Sequence, residues 1–532
     1  MMSKSHRAIG ASLLFALLCS CGNQESVTSR ADVLRRGLSG EPSSLDPAAA
    51  ADNFSTEVLR DLYEGLTAES PTGEIVPGVA MSWTVDSSGR KYTFKLRPDA
   101  RWSNGMPVRA QNFVAAWRRV VDPKQGSPVA DDFRFLTGAQ SIIEGRSAVT
   151  DLGVFAPSDD ILIVTLEQPV PYFLQLLTHS AAYPIFTEAS TRSHDPGRSI
   201  TNGPFSLASW SPSTALWLTR NERYWDRGNV HIARVEYQFI SDENAQYARF
   251  RAGQLDLTDT VPPNAVGQLR IEHSQELSIA PFLATAYYGL NLAKPPFRGN
   301  LKLRQALAMA IDRKKIVTAL GAGQAEAFGF VPTATWNYSS QSWPWKNLGD
   351  DARIAEARRL YAEAGYSSGK PLHLRLLFNS NAGIKSTAII VAAMWKEVLN
   401  VDTALTDEEY RVFLESRHDK SRWDVLRLGW TADYNDASNF LDAFRQHSEN
   451  NDEEYANTAF DALIADASQT ADPQRRRALL ETSEATMLAD YPVIPLYFFV
   501  SKRLVKTYVK GFQPNAMNHV YSKSLSVSSN KP

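Results

Sequence analysis

The chain has 532 residues, of which 43% are hydrophobic and 21% charged, too many for one compact core and too apolar for extended disorder. A formal net charge of −2 excludes an electrostatic case for a nucleic-acid partner and favours a small or neutral ligand. At roughly 100–200 residues per domain, two to four domains are expected.

Lys4, His6 and Arg7 precede the apolar run Ala8 to Leu18, which is well short of the ~20 residues a membrane-spanning helix needs. This is the pattern of a secretory leader. Both cysteines, Cys19 and Cys21, directly follow the run. The tetrapeptide Leu18-Cys19-Ser20-Cys21 resembles a bacterial lipobox, which implies cleavage before Cys21 and a lipid on its thiol and new amino end; ordinary cleavage nearby would instead leave a soluble protein. Residues 1–20 are thus expected to be a leader and 21–29 a polar tether. The mature chain would carry no free thiol, so neither disulfides nor cysteine catalysis is expected.

Val33 to Leu38 is predicted as a short strand, followed by a turn-rich loop and a helix from Phe54 to Leu62. Tyr92, Phe94 and Leu96 alternate with polar residues, as in a half-buried strand. A turn around Asn104-Gly105 leads to Phe113, Trp117 and Val120 at helical spacing. Ile161 to Leu166 is a further strand. Beyond the tight turn Thr201-Asn202-Gly203-Pro204-Phe205, strands are predicted at Ala215 to Thr219 and Val235 to Ile240, with a helix around Ala245 to Ala252. Leu301 to Leu320 reads as one amphipathic helix closed by Gly321. Helices at Ala352 to Ala364 and Thr387 to Leu399 alternate with strands at Leu372 to Phe378 and Asp402 to Leu405, which implies an α/β lobe with crossover connections. Trp423 to Leu428 and Val493 to Val500 complete the strands.

Gly365-Tyr366-Ser367-Ser368-Gly369 fits the Gly-x-Ser-x-Gly pattern of a hydrolase nucleophile, yet a helix enters it and a strand leaves, the reverse of what that motif requires. Hydrolysis at Ser367 is therefore a remote reading. The nine histidines are scattered without the spacing of a metal site, and no glycine-rich phosphate loop occurs, so neither metal nor cofactor is expected. About two-thirds of the twelve tryptophans are expected in the core, with Trp430 the candidate for a cleft wall. The most informative stretch is Gly429-Trp430-Thr431-Ala432-Asp433-Tyr434-Asn435. It places a carboxylate just past an apolar strand and between aromatic rings, where a ligand ammonium could be held. Asp433 could equally serve as a turn or N-cap carboxylate for a helix starting near Ser438.

An ordered series of segments decides between these readings. Ser44-Leu45-Asp46-Pro47, Tyr63-Glu64-Gly65-Leu66, Pro77 to Trp83, Tyr92 to Arg97, Trp102 to Val108, Thr201 to Phe205, Asn221 with Tyr224-Trp225, and Arg304 to Leu307 with Ala310 to Arg313 resemble the family-5 extracytoplasmic solute-binding proteins. The likeness is strongest to the oligopeptide-binding members that serve ABC importers. It implies an α/β fold of two lobes, the type II (cluster C) periplasmic-binding-protein fold, with an extra domain inserted in the first lobe and two hinge strands. The first lobe would take 30–63, 186–286 and 501–532, the inserted domain 64–185 and the second lobe 287–500. Hinges would lie at Tyr287 to Asn291 and Phe499 to Ser501.

By the same resemblance, Asp433 would hold a peptide's α-ammonium, and the backbone around Gly429, Trp430, Thr431 and Ala432 would pair with its main chain. Arg427 and Arg417 would meet the ligand carboxylate or line side-chain pockets, and Tyr410 would supply an aromatic ring. Val129 stands where the peptide binders have a tyrosine, and Ala51 and Asn53 where they have an acidic and an apolar residue. The implied function is that of a monomeric, exported receptor in the periplasm or cell envelope, anchored by lipid at Cys21. It would deliver short peptides to the membrane subunits and cytoplasmic ATPases of an ABC importer. A different solute, such as a murein peptide, a sugar or a metal chelate, is the alternative.

Overall fold

The computed structural model describes residues 33–187 and 199–528. The leader, the tether and Cys21 lie outside the described residues. No helix among the described residues is long and apolar enough to cross a membrane.

Three sheets organise the chain. In the first lobe, Val33–Leu38 lies parallel to Arg234–Phe239, which continues antiparallel to Ala215–Arg220 and Phe205–Ser211. The inserted domain is built on the antiparallel order Ala80–Val85, Lys91–Leu96, Ile161–Thr165, Val154–Ser158. Its alternating Tyr92, Phe94 and Leu96 point into one continuous core with Leu34, Trp117 and Leu216. Domain and lobe therefore share buried apolar surface, which is what fixes the insertion to its host. The helix Asn53–Leu62 is N-capped by Asp52, whose Oδ1 accepts from the Ser55 amide.

The second lobe holds a six-stranded mixed sheet in the order Ala325–Glu326, Val493–Leu504, Leu277–Leu290, Val425–Thr431, His373–Asn379, Asp402–Glu408. Its own core includes Tyr288, Leu307, Trp395 and Trp423. Leu277–Leu290 and Val493–Leu504 are the two long strands that reach between the lobes. Their antiparallel register slips between Pro281 and Thr285, opposite Phe498 to Val500. Pro281 has no amide to give to the ladder, which explains a break at that point. Tyr287 to Gly289 lie deeper in the sheet and are paired on both edges.

The stretch predicted as one helix from Leu301 to Leu320 is two, Leu301–Met309 and Arg313–Leu320. Asp312 adopts an extended conformation and its carboxylate accepts from the Lys315 amide, so a strong N-cap residue inside the periodic pattern ends one helix and starts another. Gly321, in the left-handed region at φ 65°, closes the second. Gly365, at φ 92°, follows the helix Asp350–Glu363 as a C-terminal stop; Ser367 and Lys370 then exchange backbone hydrogen bonds in a turn.

Candidate functional site

Val425–Thr431 pairs along its whole length with Leu277–Leu290, but with His373–Asn379 only at Val425 and Leu426. From Arg427 onward the second edge carries no strand among the described residues. Leu283 O accepts from the Ala432 amide, so the even-numbered residues turn their amides towards Leu277–Leu290. The amides and carbonyls of Gly429 and Thr431 consequently face the open edge. Such an edge is a template for one more extended chain.

Just past the strand end lies a cavity of 1210 Å³, larger than the roughly 300–1,000 Å³ usual for small-molecule sites. Thr431, Ala432, Asp433, Tyr434, Asn435 and Trp336 form its second-lobe wall. The Asn53–Leu62 helix presents Asn53, Glu57 and Arg60, and the inserted domain contributes Asp132, Tyr172 and His179. The cavity thus lies between the lobes, with Val500 to Arg503 of a crossing strand on its wall.

Asp433 is exposed to this space. Its Oδ2 accepts from Asn439 Nδ2 at 3.3 Å, while Asn439 Oδ1 accepts from Trp430 Nε1 at 2.9 Å. The indole N–H can only donate, so it sets which way the Asn439 amide faces and leaves its NH₂ for Asp433. The helix starting at Ser438 has Ala437 at its N-cap position, and the turn into it is held by Asp436, whose Oδ1 accepts from the Ser438 amide and hydroxyl. Asp433 is therefore free of that structural duty.

Asp132 is a carboxylate that sequence reasoning missed. Burial first, then the charges of Asp433 and Asp131, push it up to about 6. Its only signal in the sequence is its place three residues beyond Val129. Trp336, more than half exposed, is the tryptophan that lines the cavity, whereas Trp430 is half-buried against Asn439. Trp336 gives no periodic signal, because it sits in an irregular loop with its amide bonded to Asn435 Oδ1.

The other expected residues are dispersed. Arg427 is buried in its strand, with Nη2 3.4 Å from the Tyr497 hydroxyl. Arg417 closes the helix Tyr410–Ser416 and lies 3.6 Å from the Asp452 carboxylate. Tyr410 is 57% exposed at the start of that helix. Val129 is buried in the core of the inserted domain, and Asn53 lines the cavity at the head of its helix.

On the facing wall Arg60 Nη2 lies 2.7 Å from His519 Nε2, and His519 Nδ1 2.6 Å from Glu69 Oε2. Arginine can only donate, so Nε2 accepts and Nδ1–H donates to the carboxylate. Burial holds His519 below its ordinary value, in keeping with a neutral ring. Burial also holds His179 down, at about 4.

The sequence pattern described as bacterial extracellular solute-binding proteins, family 5 Middle, matches residues 74–452. The periplasmic oligopeptide-binding protein OppA of Escherichia coli is 36% identical over 504 residues, 92% of each chain. The periplasmic murein peptide-binding protein MppA of Escherichia coli is 35% identical over 508 residues, 94% of each. Among solved structures, the unliganded open form of MppA superposes with a TM-score of 0.86 at 33% identity, covering 94% of this chain and 98% of that one. Haemophilus influenzae OppA in complex with RPPGFSPFR gives 0.74 at 33%, covering 94% and 99%. The two-lobed architecture and a sequence match over most of its length together make this chain a member of family 5 of the bacterial extracellular solute-binding proteins.

Proposed function

We propose that this chain is the substrate-binding component of an ABC importer for short peptides, exported to the periplasm or cell envelope and anchored by lipid at Cys21. It is a receptor and not an enzyme. The observation that carries this reading is the free edge of Val425–Thr431, which ends at an exposed carboxylate inside an interlobe cavity. A guest chain hydrogen-bonds to the Gly429 and Thr431 backbone whatever its side chains, and Asp433 takes its terminal ammonium. The names of the similar proteins, which speak of oligopeptide and murein-peptide binding, support it. The lobe boundaries given by the resemblance, with 64–185 as the insertion, belong to the same proposal.

Titration calorimetry with short unblocked peptides tests the assignment. A charge-assisted hydrogen bond contributes about 1.5–3 kcal/mol, so Asp433→Asn should weaken binding by about 10- to 150-fold. Unchanged affinity would remove Asp433 from the site. Native mass spectrometry of ligand retained through purification separates nutritional peptides from a murein peptide, a sugar or a metal chelate. Loss of lipid labelling in Cys21→Ser checks the anchor.

A further inference from the structure

Asp132 sits in the helical turn Ala130–Phe133 of the inserted domain and opens onto the interlobe cavity. Its neighbour Asp131 is held by Arg134, whose Nε donates to Oδ1 at 2.9 Å. The Asp132 carboxylate accepts no hydrogen bond and meets no cation among the described residues, and the charges it feels, those of Asp433 and Asp131, are both negative. Asp433 likewise lacks a cation among the described residues and accepts from Asn439 Nδ2.

Aromatic packing holds these two carboxylates at one junction. The Phe133 ring lies against Phe135 with centroids 5.9 Å apart, and Phe135 meets Phe173 edge-on at 5.5 Å. Tyr172, the residue before Phe173, lies flat on Tyr434 at 4.1 Å, and Tyr434 follows Asp433. The inserted domain is therefore seated on the turn that carries Asp433, with an acid contributed from each partner. The cavity as a whole leans the same way. Six carboxylates line it against three fixed cations, Arg60, Lys502 and Arg503, while burial disfavours charge on His179 and His519. Arg503 is already occupied by Asp259 and Glu57. Like charges facing one space repel unless something positive lies between them. A single ammonium at Asp433 leaves the second acid uncompensated.

We propose that Asp132 is a specificity-determining residue of the ligand site, which reads a second positive charge on the side chain of the guest's first residue, so that the favoured cargo is a peptide beginning with lysine, ornithine or arginine. This rests on the peptide reading above and names its cargo class. Main-chain pairing at Gly429 and Thr431 ignores side chains, so charge discrimination is confined to the head of the guest. Trp336, more than half exposed on the second-lobe wall, gives the apolar stem of such a side chain a face to lie on. Asp433 belongs to the second lobe and Asp132 to the inserted domain, so a guest with two cations at its head ties opposite walls together.

The test compares lysyl-alanyl-alanine with norleucyl-alanyl-alanine, which keeps the α-ammonium and a straight apolar stem but lacks the second charge. By calorimetry the unaltered protein should bind the lysyl peptide at least ~10-fold more tightly. Asp132→Asn and Asp132→Ser should narrow that gap to within about threefold by weakening the lysyl peptide, whereas Asp131→Asn, at the acid already held by Arg134, should preserve it. Equal binding of the two peptides by the unaltered protein overturns the proposal, as does a gap that persists in both Asp132 variants or one that Asp131→Asn closes equally. An equal loss of both peptides in the Asp132 variants also overturns it, because Asp132 would then act on the shared α-ammonium alone. If the unaltered protein binds neither peptide, the peptide reading itself falls, and the role of Asp132 with it.

Discussion

Asp436 grips Arg476 from both sides, Oδ2 to Nη1 at 2.6 Å and Oδ1 to Nη2 at 2.8 Å, in a pair almost wholly withdrawn from solvent. The contact fastens the turn that follows Asp433 to the helix Pro473–Asp490. Asp436→Ala strands a buried guanidinium and should cost about 3–5 kcal/mol in urea unfolding. The double replacement Asp436→Leu with Arg476→Met should recover much of that loss, since apolar pairs of similar volume often match a buried ion pair.

Glu453 is buried with neither carboxylate oxygen hydrogen-bonded, and it crowds Gly289, where an added Cβ would meet Oε1 at 2.2 Å. Burial, then the Asp452 charge, push it from 4.5 up to about 8. The folded protein therefore holds a proton that the unfolded chain releases above 4.5, and stability declines as pH rises from 4.5 to about 8, by at most ~1.4 kcal/mol per pH unit. Glu453→Gln should flatten this slope. Thermal unfolding at pH 8 should show the variant more stable than the parent, with the advantage gone near pH 5.

His179 acts in the opposite direction. Its Nδ1 accepts from the Ala181 amide at 3.3 Å, which protonation forbids, and burial lowers it from 6.5 to about 4. The folded state binds fewer protons than the unfolded one in that window, so stability is full above 6.5 and is lost as pH falls towards 4. His179→Asn keeps an acceptor for the Ala181 amide and should reduce the acid slope measured by urea titration between those pH values.

Gly203 touches the end of the Asn53–Leu62 helix so closely that a Cβ would lie 2.5 Å from the Leu62 carbonyl carbon and 2.6 Å from the Tyr63 nitrogen. Both are backbone atoms that cannot step aside. Gly203→Ala should therefore lower stability by about 1–3 kcal/mol or more, read from the urea midpoint.

Much of the framework was legible because local chemistry and tertiary setting agree. The alternation at Tyr92 to Leu96 and the strand at Val33 to Leu38 occur where they were predicted. Of the longest strand among the described residues, Leu277–Leu290, only the end from Tyr287 was anticipated, as a hinge: it is buried on both faces towards that end, so no alternation survives, and Pro281 and Gly289 read as interruptions. At the cavity, the Gly429 to Asn435 segment stood out as one continuous stretch. Asp132, Tyr172 and Trp336 did not, because each joins the wall from a different part of the chain and only folding makes them neighbours.

Ala284 is the rung opposite Thr431 and lies within the stretch between Pro281 and Thr285 where the register of the crossing strands slips. The residues proposed to hold a ligand and the irregular stretch of the connector are thus neighbours on a single ladder. A guest chain paired with residues 429–431, as proposed, would lie one strand away from that irregular stretch, with no side chain needed to link the two.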